Sequence, residues 1–132
     1  MKSVIFVDDE NLIVQSFNEL LQMENLGSKV KIDTFTSKAC GKETLHWLDD
    51  NKPDIAVLDI ILNGVSGLDI AEKIMRVYPE SMIIFLTGCE DSSEQVHKIK
   101  RIIEKRKELL YFNKLDDNWY DDIIDYIKEQ VR

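Results

Sequence analysis

Only two prolines and five glycines interrupt the 132 residues, so neither a collagen-like repeat nor a low-complexity tract is open to this chain. Two cysteines are too few for a disulfide-stapled scaffold, and Cys40 and Cys89 are expected to stay reduced. No apolar stretch approaches the roughly 20 residues that span a bilayer. The start, MKSVIFVDDE, turns acidic too soon for a signal peptide. A cytoplasmic protein without membrane contact is the resulting expectation. Basic residues are outnumbered 17 to 25, and the net charge of −8 disfavours nonspecific nucleic-acid binding, which rests on neutralising phosphates. The exception is the stretch from His97 to Glu108, where six Lys or Arg stand against two Glu.

What is present is 44% hydrophobic residues and 32% charged ones, enough for one compact domain over 1–132 but not for two. Strand-like and helix-like stretches alternate five times, the pattern of a parallel sheet covered on both faces. Val4 to Val7 is a buried strand, and Ile13, Phe17, Leu20 and Leu21 give the first helix, which Gly27 helps to end. Val30 to Phe35 alternates as an edge strand does, and a second helix runs from about Ser37 to Leu48. Pro53 marks the turn into a third strand, Ile55 to Leu58; Ile70, Ala71, Ile74 and Tyr78 line a third helix that Pro79 closes. Met82 to Leu86 is the fourth strand. Ser92 with Gln95 reads as a capping box for a fourth helix carrying Val96, Ile99, Ile102 and Ile103. Leu109 to Phe112 is the last strand, and Trp119, Ile123, Ile124, Ile127 and Val131 mark a closing helix.

Chemistry gathers where these strands end. A parallel sheet places all its carboxyl ends along one edge, which collects Asp8 and Asp9, Asp59, Thr87 and Lys114. Acids converging there would repel one another unless a cation held them. Mg²⁺ suits such a set, since it takes one or two carboxylates, a phosphoryl oxygen and several waters. Asp9 and Asp59 are the expected ligands, with Asp8 orienting a bound water. Asp59, alone at the end of a central strand, is the best nucleophile for an acyl phosphate. Thr87 can donate a hydrogen bond to the transferred group and Lys114 can offset its charge. Alone, Asp8 and Asp9 would read as a polar turn at a helix start.

VDDE at 7–10, LDIILNGVSG at 58–67, LTG at 86–88 and YFNK at 111–114 together resemble the receiver domain of the bacterial two-component response regulators. The resemblance covers essentially the whole chain. It implies a doubly wound, flavodoxin-like α/β fold with five parallel strands in the order 2-1-3-4-5 and five helices. It also implies phosphorylation of Asp59, with the phosphoryl group supplied by a phosphohistidine on a sensor histidine kinase or phosphotransfer protein. Asp8 and Asp9 match the acidic pair, Thr87 the hydroxyl of the switch, Tyr111 its aromatic partner and Lys114 the lysine; Ile61 matches the position whose backbone carbonyl completes the metal site. Such a protein is not a turnover enzyme, because it modifies only itself. Three departures stand out. Asn63 and Leu115 replace common prolines, and 26 residues separate Thr87 from Lys114, which implies a longer fourth helix and following loop. A non-proline cis bond costs about 2.5–4 kcal/mol, so the Lys114–Leu115 bond is expected to be trans.

Two other functions compete. A phosphatase working through an aspartyl-phosphate would want a second acid near Asp59, where Ile60 and Ile61 stand. A phosphorylation-independent interaction module would keep the fold without the switch. Flavin binding has no phosphate-cradling loop after the first strand. The basic stretch on the fourth helix reads as a solvated face or a docking surface, and His46 and His97 as surface residues. No output domain is expected within these residues; whether they are a stand-alone regulator or an excised receiver is left open, and a homodimer is compatible with the apolar residues of the fifth helix. The sequence also leaves open the cognate kinase, the output and the phosphate lifetime.

Overall fold

The computed structural model describes residues 1–24, 26–90 and 92–131. Five strands alternate with five helices: β1 (Lys2–Val7), α1 (Asn11–Met23), β2 (Val30–Phe35), α2 (Cys40–Trp47), β3 (Ile55–Asp59), α3 (Gly67–Val77), β4 (Met82–Thr87), α4 (Glu94–Lys105), β5 (Leu110–Asn113) and α5 (Trp119–Gln130). All pairings are parallel and the order is β2-β1-β3-β4-β5, as expected. Every residue of β3 is buried, as befits the middle strand, whereas β2 at the edge is largely half-buried, with Lys31 and Thr34 exposed on opposite faces in place of the clean alternation expected.

Alternation along the strands sorts the core into two clusters. Val4 and Phe6 join Val14, Phe17 and Leu21 of α1 and Ile123 and Ile127 of α5 on one face. Ile5 and Val7 join Leu48, Ile70, Ile74 and Ile99 on the other. Each such fully buried side chain contributes about 1.5–3 kcal/mol.

Several boundaries differ from the sequence reading. α1 ends at Met23 with Glu24 as its cap, ahead of Gly27, which lies in the following turn. α4 is capped by Ser93, whose Oγ accepts the Val96 N–H at 3.2 Å, and not by Ser92. The phase is set by Val96 and Ile99, which are fully buried, while Ile102 and Ile103 are only half-buried. β5 lies one residue later than expected and takes in Asn113.

Two features fix the rim of the sheet. Ser66 caps α3, its Oγ accepting the Leu68 N–H at 3.1 Å while the Asp69 carboxylate accepts the Ser66 N–H at 3.2 Å. Gly67 is pressed so close to β3 that a Cβ there would stand 2.0 Å from the Asp59 carbonyl oxygen. On the far side, the Lys114 N–H donates to the Thr87 carbonyl at 2.8 Å, which extends the β4–β5 pairing by one rung. The loop from α4 into β5 is held by Arg106, which donates to the Pro79 carbonyl at 2.9 Å and to Glu108 at 2.8 Å. All described peptide bonds are trans, including Lys114–Leu115.

Candidate functional site

Asp8 follows β1, Asp59 ends β3, Thr87 ends β4 and Lys114 follows β5, so the rim of the sheet brings them together as the parallel topology requires. The Lys114 ammonium lies 2.7 Å from Asp8 Oδ2, 3.2 Å from Asp59 Oδ2 and 3.4 Å from Glu10 Oε1. Asp8 is fully buried and Asp59 is 4% exposed. The other oxygen of Asp8 accepts the Glu10 N–H at 2.9 Å, and Asp59 Oδ1 accepts the Ile61 N–H at 3.3 Å.

Among the described residues, the carboxylates that come within 4.8 Å of one another are those of Asp8, Glu10 and Asp59. Glu10 was not singled out in the sequence. The chain bends at Asp9, where the Asp8 carboxylate accepts the Glu10 N–H, and this turn brings the Glu10 carboxylate back beside that of Asp8. Asp8 and Glu10 therefore point together, and Asp9 lines the pocket wall beside them. The charge of Asp9 is felt instead at Cys40, whose thiol is pushed up to about 11 by burial and then by Asp9. The pocket holds about 330 Å³ and is lined by Asp9, Glu10, Asp59, Ile61, Gly88, Cys89 and Lys114.

Three acids share one lysine here. Burial, and then the charge of Asp8, push the Asp59 carboxyl up to about 7, against the opposing pull of Lys114 and the Ile61 N–H. Burial also raises Asp8. Burial works against the Lys114 ammonium, but Asp59 and Asp8 outweigh it and hold its pKa above the usual lysine value. The donor set is all oxygen, and Asp8 Oδ2 is buried with the Lys114 ammonium at 2.7 Å beside it. Such a site fits a hard divalent cation like Mg²⁺.

Beyond the acids, the Thr87 hydroxyl is buried and accepts the Cys89 N–H at 3.1 Å. Cys89 borders the pocket, and both cysteines are free thiols. Tyr111 lies in β5, half-buried, with its hydroxyl accepting a bond from the Asn113 amide at 3.0 Å. Ile61 places its side chain half in solvent at the pocket edge. Asn113 escaped notice in the sequence; its one signal is a polar residue at the end of an apolar strand.

The family profile of the response regulator receiver domain matches residues 4–105. The chain belongs to this family. Response regulator GacA of Pseudomonas aeruginosa is 28% identical over 92 residues, 69% of this chain and 40% of GacA. Regulatory protein VanR of Enterococcus faecium is 35% identical over 92 residues, 68% of this chain and 38% of VanR. The chain thus spans about 40% of the length of the curated relatives it matches. Among solved structures, the response regulator TrrA of Thermotoga maritima in complex with Mg²⁺ and beryllofluoride is 28% identical with a TM-score of 0.72, covering 98% of each chain. TrrA in complex with the histidine kinase ThkA gives a TM-score of 0.71 over 100% of each chain. The carboxylates of Asp8, Glu10 and Asp59 in this receiver form an acidic cluster of a kind that could hold a metal ion, and TrrA is seen with Mg²⁺. Among the described residues, no helix of this receiver is long and apolar enough to cross a membrane.

Proposed function

We propose that this receiver, formed by residues 1–132, takes a phosphoryl group onto Asp59 from the phosphohistidine of a sensor kinase or phosphotransfer protein and thereby changes its affinity for a downstream partner. The observation that carries this reading is the Asp59 carboxylate, which ends the central strand β3, faces the pocket and is paired to Lys114 at 3.2 Å. An Asp59 oxygen forms its bond to phosphorus as the P–N bond of the donor breaks, and the leaving imidazole keeps the electron pair and takes up a proton. Asp59 must be ionised to attack, and with its carboxyl near 7 in the metal-free site that form needs support from positive charge. Lys114 supplies part of it and offsets charge on the transferred group.

Magnesium would be held by Asp59, the Asp8–Asp9 pair and the backbone carbonyl of Ile61, with Glu10 as an additional carboxylate. When bound, it supplies positive charge that favours ionised Asp59 and offsets the phosphoryl oxygens. Thr87 donates its hydroxyl proton to a phosphoryl oxygen, and Tyr111 follows as the reporter of the change. The protein modifies its own side chain and is not a turnover enzyme. Its downstream partner is another protein or domain, a second copy being one candidate.

The test is intact mass after incubation with acetyl phosphate, with and without Mg²⁺, for wild type and Asp59→Asn. One Mg²⁺-dependent phosphoryl adduct in the wild type alone is expected. An adduct formed to the same extent in Asp59→Asn would sink the assignment. The competing interaction module predicts instead no adduct at all.

A further inference from the structure

Asn113 ends β5 and is 6% exposed. A buried amide left without partners is costly, and this one is well supplied. Its Nδ2 donates to the Cys89 carbonyl at 2.7 Å and to the Tyr111 hydroxyl at 3.0 Å, while its Oδ1 accepts the Leu115 N–H at 2.9 Å. The orientation of the amide is forced, because a carbonyl can only accept and a main-chain N–H can only donate. Leu115 can take part because it has an N–H, which a proline at this position would lack.

One side chain thus joins three segments: the loop that leaves β4 after Thr87, the aromatic residue on β5, and the chain just past Lys114. The link continues to the Thr87 hydroxyl, which accepts the Cys89 N–H at 3.1 Å. The two N–H bonds of an amide lie in one plane at a fixed angle, so a shift of the Cys89 carbonyl that the amide follows also displaces its bond to the Tyr111 hydroxyl. We propose that Asn113 is a positioning residue that ties the loop after Thr87 to Tyr111, so that displacement of this loop at the phosphoacceptor site is passed to the aromatic side chain. The proposal rests on the reading of Asp59 as phosphoacceptor and Thr87 as its hydrogen-bonding partner.

The experiment follows the Cys89 backbone amide and the Tyr111 ring by NMR, in protein labelled with carbon-13 at its four tyrosines, as beryllofluoride and Mg²⁺ are added. The Tyr111 signal is assigned with Tyr111→Phe. In the wild type both signals shift. In Asn113→Ala the Cys89 amide still shifts, which reports binding, while the Tyr111 response falls by roughly twofold or more. Asn113→Leu, which refills the volume without the amide, is read in the same way should the alanine variant fold poorly. A full Tyr111 response in these variants would overturn the role of Asn113 alone. No shift of either signal in the wild type would overturn the functional reading, and the role of Asn113 with it.

Discussion

Without divalent cations, ionising Asp59 works against the fold. Its carboxyl rises from an ordinary 3.8 to about 7, through burial first and Asp8 second. A folded-state pKa above the unfolded one means that the native protein holds a proton the unfolded chain has released. Stability contributed by that proton is complete below the unfolded pKa and is lost as pH climbs through the folded one. From pH 5 to pH 8 this is about two pKa units, or about 3 kcal/mol at about 1.36 kcal/mol each. Asp59→Asn keeps the shape and removes the titration, and Lys114 retains Asp8 at 2.7 Å in the variant. The assay is urea unfolding in the presence of a chelator from about pH 5 to about pH 8. With a slope of about 2 kcal/mol per molar urea, the wild-type midpoint is expected to fall by about 1.5 M across that range. The Asp59→Asn midpoint is expected to fall by clearly less, since the contribution of Asp59 is gone and that of Asp8, raised by burial, remains. Parallel midpoints for the two proteins would refute the reasoning.

Three further outcomes follow from the same geometry. Gly67→Ala forces a Cβ to 2.0 Å from the Asp59 carbonyl oxygen, and a loss of about 3 kcal/mol or more in denaturant unfolding is expected; a variant as stable as wild type would show that α3 can retreat. Lys114→Met leaves Asp8 and Asp59 buried without their cation and is expected to cost about 3 kcal/mol at pH 8 in chelator, with a smaller loss at pH 5, where the carboxyls take up protons. Equal losses at the two pH values would argue against the charge account. Ser93→Ala is expected to destabilise by about 1 kcal/mol and Ser92→Ala by a few tenths or less, as thermal melts can measure; the reverse order would restore Ser92 as the cap.

The sheet was legible because its strands are short apolar runs closed by polar residues, and a parallel arrangement turns those closing residues into neighbours. IAVLD alone places Asp59 at the rim. What the sequence hid depends on backbone direction or on distant partners. Two adjacent serines could each cap α4 with the same face of Val96 and Ile99 buried, and it is the Ser93 Oγ that accepts a main-chain N–H, that of Val96. Of the acids after β1 the sequence points to Asp9 as a ligand and Asp8 beside it, whereas the turn at Asp9 groups Asp8 with Glu10 near Asp59. Asn113 answers to a carbonyl 24 residues earlier, which no local pattern encodes.

The bond from the Lys114 N–H to the Thr87 carbonyl has an evolutionary consequence. The stretch between them leaves the sheet after Thr87, crosses over through α4 and rejoins it at Leu110, opposite Ile84, like a handle fixed at the two ends of the β4–β5 ladder. Closing a longer handle adds only a slowly growing entropic penalty. Its length and charge, including the six Lys or Arg between His97 and Glu108, can therefore drift while the spacing of Asp59, Thr87 and Lys114 is preserved. Selection for a new partner and selection for reactivity can thus proceed on separate parts of one short chain.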